Sequence, residues 1–138
     1  MKLTVIMPDE SLQYSGTQRR KRFEAALNGA ICAARGKEGQ SPEWIRGAEE
    51  LENVLSTGNQ LKNRRILFAV FLDDTGVSPA LGTLIWLLLR HGGCMEGSVG
   101  GVITDGAGEL YTRTAATQLV LAANSAGCLF VGRSLTEA

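Results

Sequence analysis

The chain has 138 residues, with 14 lysines and arginines against 14 aspartates and glutamates, and 44% of its residues are hydrophobic. This length and composition indicate one folded domain over residues 1–138 and exclude a disordered chain. The zero net charge predicts no binding to nucleic acid or to a membrane surface. Three cysteines that are far apart, with no Cys-x-x-Cys pair, disfavour a disulfide framework or a zinc site and favour a cytoplasmic protein.

The first half of the chain predicts two strands and two helices. Leu3 to Met7 is an apolar run that predicts a strand. Thr17 to Arg35 repeats apolar residues at the spacing of one helical face, so it predicts an amphipathic helix. Glu43 to Arg46 predicts a short edge strand, and Ala48 to Leu55 predicts a short surface helix.

The second half begins with the most decisive element. Ile66 to Leu72 is an apolar run without alternation, which is typical of a strand buried on both faces of a parallel sheet. Ala80 to Arg90 then predicts a helix, and Val99 to Ile103 predicts a fourth strand. Leu110 to Ser125 predicts the last helix, followed by a final strand at Cys128 to Val131.

Strands and helices therefore alternate along the whole chain. Five strands and four helices with short connections predict right-handed crossovers and a three-layer, doubly wound α/β domain with a five-stranded parallel sheet. The helix from Ala80 to Arg90 is apolar nearly all round, more than is needed to cover one face of a sheet. We therefore expect this helix to contact a partner, which is either the second copy in a homodimer or a further domain if this chain is a fragment of a longer protein.

The loop after the first strand is a candidate anion site. Ser15 and Gln18 have the spacing of a capping box, and a basic cluster, Arg19 to Arg22, follows at the start of the helix. Because the helix dipole favours anions there, a phosphate bound by the backbone of residues 15–18 and the hydroxyls of Ser15 and Thr17 would offset the cluster. The alternative is a solvated basic surface that is screened by salt.

Two further loops leave the predicted sheet at the same edge. Asp73 to Ser78 follows the most buried strand, and Thr104 to Tyr111 follows the adjacent one. Their glycines permit close approach to a flat ligand, and Tyr111 offers a ring for stacking. Both loops are equally compatible with ordinary turns, since Asp-Gly and Asp-Thr-Gly sequences commonly form turns.

These features resemble those of the flavodoxin-like proteins, in particular the NAD(P)H-dependent FMN reductase group. The resemblance rests on the strand order, on the loop Ser11 to Thr17 that opens the first helix, and on Val99 to Gly106 leading into an alanine-rich helix. It implies a flavodoxin-like fold, an FMN cofactor, and an oxidoreductase that uses NAD(P)H or another small molecule. The apolar helix from Ala80 to Arg90 separately favours a homo-oligomer.

In that family the loop after the first strand binds the FMN phosphate, and the loops after the third and fourth strands flank the isoalloxazine ring. The loops and the resemblance together predict a set of cofactor-binding residues. These candidates are Ser11, Ser15, Gly16, Thr17, Gln18, Arg19, Asp74, Thr75, Gly76, Thr104, Asp105, Gly106 and Tyr111. No residue stands out as a general acid or base.

Two other functions remain open from the sequence. One is a non-catalytic binding or dimerisation module that has lost the flavin site. The other is a Mg²⁺-dependent phospho-accepting domain, in which Asp73, Asp74 and Asp105 would supply oxygen ligands. That domain usually has a lysine after its fifth strand, whereas Gly132 to Ser134 follow the predicted fifth strand here.

Overall fold

A computed structural model describes residues 3–7, 22, 25–29, 31–32, 43–57, 61–71, 79–105 and 109–137 of the chain. The strands are β1 (Leu3–Met7), β2 (Glu43–Arg46), β3 (Arg65–Phe71), β4 (Val99–Asp105) and β5 (Leu129–Glu137). The helices are α1 (helical at residues 22, 25–29 and 31–32), α2 (Ala48–Ser56), α3 (Pro79–Arg90) and α4 (Glu109–Ser125). Within these residues no helix is both long enough and apolar enough to cross a membrane.

The five strands form one parallel sheet in the order β2-β1-β3-β4-β5. β1 pairs on both sides, so that Ile6 lies opposite Ile45 of β2 and Phe68 of β3. β3 pairs with β4 along its full length, from Arg65 opposite Val99 to Phe71 opposite Asp105. The predicted five-stranded parallel sheet is therefore confirmed, with β2 at one edge as expected.

Apolar side chains are buried on both faces of the sheet, because a parallel sheet is covered by helices on each side. One face packs against α2, α3 and α4, and its core includes Phe68, Leu51, Leu84, Leu88 and Leu119. The other face packs against α1, and its core includes Val5, Leu27, Ile31, Ala69 and Ile103. The predicted three-layer α/β architecture is confirmed.

The structure corrects the boundaries of two strands. β3 begins at Arg65, one residue before the predicted start, because Arg65 pairs with Leu3 and Val99 at the amino ends of the neighbouring strands. β4 continues to Asp105, two residues beyond the predicted end at Ile103. The apolar pattern stops at Ile103, but the backbone pairing with β3 continues through the next two residues.

The last strand is the largest correction. β5 runs to Glu137, whereas the predicted strand ended at Val131. Gly132 to Ser134, which we assigned to a following segment, lie within β5. The pairing is irregular there: Gly100 lies opposite Phe130, and Val102 lies opposite Leu135, so the longer stretch of β5 bulges away before pairing resumes.

The helices agree closely with the prediction. α2, α3 and α4 differ from their predicted bounds by one residue at one end only. The helical residues of α1 fall inside the predicted helix from Thr17 to Arg35, whose two ends lie outside the described residues. Strong periodicity therefore located the helices better than it located the polar ends of the strands.

A polar cluster ties the amino-terminal edge of the sheet together. The buried Ser98 hydroxyl donates to the Leu61 carbonyl and accepts the Arg64 backbone N–H at 3.0 Å. The Arg64 guanidinium donates to the Glu43 carboxylate of β2 and, at 3.3 Å, to the Thr4 hydroxyl of β1. These bonds connect the starts of four elements, so they hold the strands in register at the end opposite to the strand carboxyl termini.

Replacing Ser98 with alanine will destabilise the fold, because it leaves a buried carbonyl and a part-buried N–H without their partner. We expect Ser98→Ala to lower the free energy of unfolding by about 2 kcal/mol. Urea denaturation followed by circular dichroism measures this change. Ser125→Ala is the matched control, since the exposed Ser125 hydroxyl only bonds the Leu121 carbonyl of its own helix. Equal stability of the two variants would contradict the structural role of Ser98.

Candidate functional site

The carboxyl ends of the parallel strands meet at one edge of the sheet. β1 ends at Met7, β3 at Phe71 and β4 at Asp105, and these three strands are neighbours. From β1 the chain crosses to β2 on one side, whereas from β3 it proceeds to β4 and β5 on the other. The strand order thus reverses between β1 and β3, and ligands of open α/β sheets bind at this kind of position.

Most of the predicted cofactor-binding residues lie outside the part of the chain that the structure describes. These residues are Ser11, Ser15, Gly16, Thr17, Gln18, Arg19, Asp74, Thr75, Gly76 and Gly106. Of the predicted site residues that are described, Asp105 is the last residue of β4, and Tyr111 lies in the first turn of α4. The topology places both at the carboxyl edge, next to the point where the strand order reverses.

Thr104 is the predicted site residue with the most distinctive environment. It belongs to β4 rather than to the loop that we predicted, and it lies opposite Val70 of β3 and Glu137 of β5. Its side chain has 0% exposure, and among the described residues its Oγ1 has no hydrogen-bond partner. Alternation along β4 puts it on the same face as Val102, which packs towards α3 and α4.

A buried hydroxyl without a partner costs about 1–3 kcal/mol, and a valine of the same shape would avoid this cost. The Thr104 hydroxyl therefore stands one residue from the carboxyl edge as an unused donor and acceptor. A polar group that reached this oxygen would regain the lost hydrogen bond.

The connection from β2 to α2 shapes the neighbouring part of this edge. Gly47 adopts a positive φ of 87°, a conformation that favours glycine, and its N–H donates to the Met7 carbonyl of β1 at 2.8 Å. The Arg46 N–H donates to the Glu50 carboxylate at 3.3 Å, and the Arg46 guanidinium lies 4.7 Å from the centre of the Trp44 ring. This turn fixes the end of β1 where the first predicted loop begins.

An open groove of about 450 Å³ lies beside this turn. Its lining residues are Arg46, Glu49, Glu50 and Asn53. None of these four residues is a predicted site residue, and their one signal in the sequence is that Arg46 ends a predicted strand. With two carboxylates around one guanidinium the groove does not favour a phosphate, so the phosphate prediction continues to rest on residues 15–19.

Two of the three cysteines, Cys94 and Cys128, are at least partly buried and have raised pKa values. Burial raises the pKa of the Cys128 thiol to about 11, and the nearby Cys94 adds to this increase. Burial also raises the pKa of Cys94, against the lowering effects of a backbone hydrogen bond and Lys62. The described residues contain no group of three or more His, Cys, Asp or Glu side chains that could hold a metal ion.

The three cysteines will differ in their rates of alkylation. Cys32 is exposed, whereas Cys128 is buried and keeps its proton far above neutral pH. We expect iodoacetamide to modify Cys32 first and Cys128 last, since the thiolate is the reacting form. The rate at Cys128 should rise about tenfold per pH unit up to its pKa. Peptide mass spectrometry measures each rate, with protein in urea as the control, and equal rates at Cys32 and Cys128 in the folded protein would refute the prediction.

Comparison with known proteins supports the fold. No family model matches the sequence, and no curated protein matches it. A solved structure of a short-chain flavodoxin associated with a bacterial microcompartment superposes with a TM-score of 0.61 over 99% of this chain and 84% of the other, at 13% sequence identity. Together with the strand order, this similarity shows that the chain has a flavodoxin-like α/β fold.

Proposed function

We propose that this protein binds FMN, or another ligand that combines a phosphate with a flat polar ring, at the carboxyl edge of β1, β3 and β4. The reversal of strand order at this edge and the similarity to a flavodoxin structure support the proposal. The observation that carries it is the buried, unpaired hydroxyl of Thr104 at the same edge.

The chemistry of this edge fits FMN. The isoalloxazine ring presents both N–H and C=O groups along its edge, and a threonine hydroxyl donates one hydrogen bond and accepts others. The ring therefore offers a partner of either polarity to the Thr104 hydroxyl. In this proposal the ring lies near Asp74, Thr75, Gly76, Asp105, Gly106 and Tyr111, and the phosphate lies near Ser11, Ser15, Gly16, Thr17, Gln18 and Arg19.

When bound, FMN supplies hydride and electron transfer, with NAD(P)H as the electron donor if the protein is an oxidoreductase. The chain itself binds and orients the ring and keeps water away from its inner edge. The buried side chains of Val70 and Val102, on neighbouring strands, provide the dry surroundings of Thr104. In such surroundings a single hydrogen bond contributes more to orientation than it would in water.

The second candidate function is a non-catalytic binding or dimerisation module. Trp86 and Leu89 favour it, because these large apolar side chains of α3 are 56% and 55% exposed. In either case we place the protein in the cytoplasm, where its free cysteines would stay reduced.

Added FMN will stabilise the folded protein if the proposal holds. A ligand at 100 times its Kd raises the free energy of unfolding by about 2.7 kcal/mol, so the thermal transition should move to higher temperature. A visible flavin absorbance band that survives desalting gives an independent measurement. Riboflavin, which lacks the phosphate, should stabilise the protein less. The absence of both the thermal shift and the bound absorbance with excess FMN would refute the flavin proposal.

The basic cluster can be tested in the same assay. We expect Arg19→Ala with Arg20→Ala to reduce the stabilisation by FMN and by inorganic phosphate, because two charges are lost beside the predicted phosphate position. Lys62→Ala with Arg90→Ala removes the same charge at the opposite end of the sheet, because Lys62 precedes β3 and Arg90 ends α3, and this double variant serves as the control. Equal shifts for both double variants would show that the cluster is only a solvated surface.

The Thr104→Val variant will distinguish the cost of the unpaired hydroxyl to the stability of the fold from its contribution to FMN binding. Without ligand, we expect the free energy of unfolding of the variant to equal that of the wild type or to exceed it by up to about 1 kcal/mol. The reason is that the variant buries no unpaired polar atom. We expect its affinity for FMN to fall about tenfold. Calorimetric titration and urea denaturation measure the two quantities, and Thr104→Ser, which keeps the hydroxyl, should retain the affinity. A loss of ligand-free stability with unchanged affinity would oppose the assignment.

A further inference from the structure

We draw no further inference here: the strongest candidate, the surface patch of exposed apolar side chains on the outer helices, Trp86 and Leu89 of α3 and Leu121 of α4, carries none because nothing in the described part of the structure shows what covers it.

Discussion

The position of β1 between β2 and β3 is the constraint on which the rest of this structure depends. All five residues of β1 are buried, and the strand pairs along both of its edges. The chain must therefore cross from β1 to one side of the sheet and continue from β3 on the other. The segments that leave these two strands start at the same point of the carboxyl edge, so the place for a ligand follows from strand order alone.

Much of this fold could be predicted because its signals are local. The apolar run from Ile66 to Leu72 identified a central strand to within one residue, and side-chain periodicity located three helices to within one residue at one end. The ends of β4 and β5 could not be found in this way. Thr104 and Gly132 to Ser134 look like turn residues, and only pairing with distant strands keeps them extended.

The candidate site was less predictable than the fold for a physical reason. Residue types and spacing suggested Thr104 as a loop residue, but its isolation from hydrogen-bond partners depends on the packing of Val70 and Val102 around it. The same holds for the opposite edge, where the bonds of Ser98 and Arg64 arise from contacts between residues far apart in sequence. The chemistry of ligand binding depends on such contacts between distant residues, whereas the sheet determines only where those residues lie.

Amide chemical-shift mapping by NMR during a titration with FMN tests the central claim most directly. If the ligand binds where the strand order reverses, the largest shifts will occur at Met7, Gly47, Phe71, Thr104 and Asp105, at the carboxyl ends of the strands. The amino-terminal edge, including Asn63, Glu96 and Ser98, will stay unchanged. Shifts confined to the amino-terminal edge, or no shifts at saturating FMN, would contradict the account.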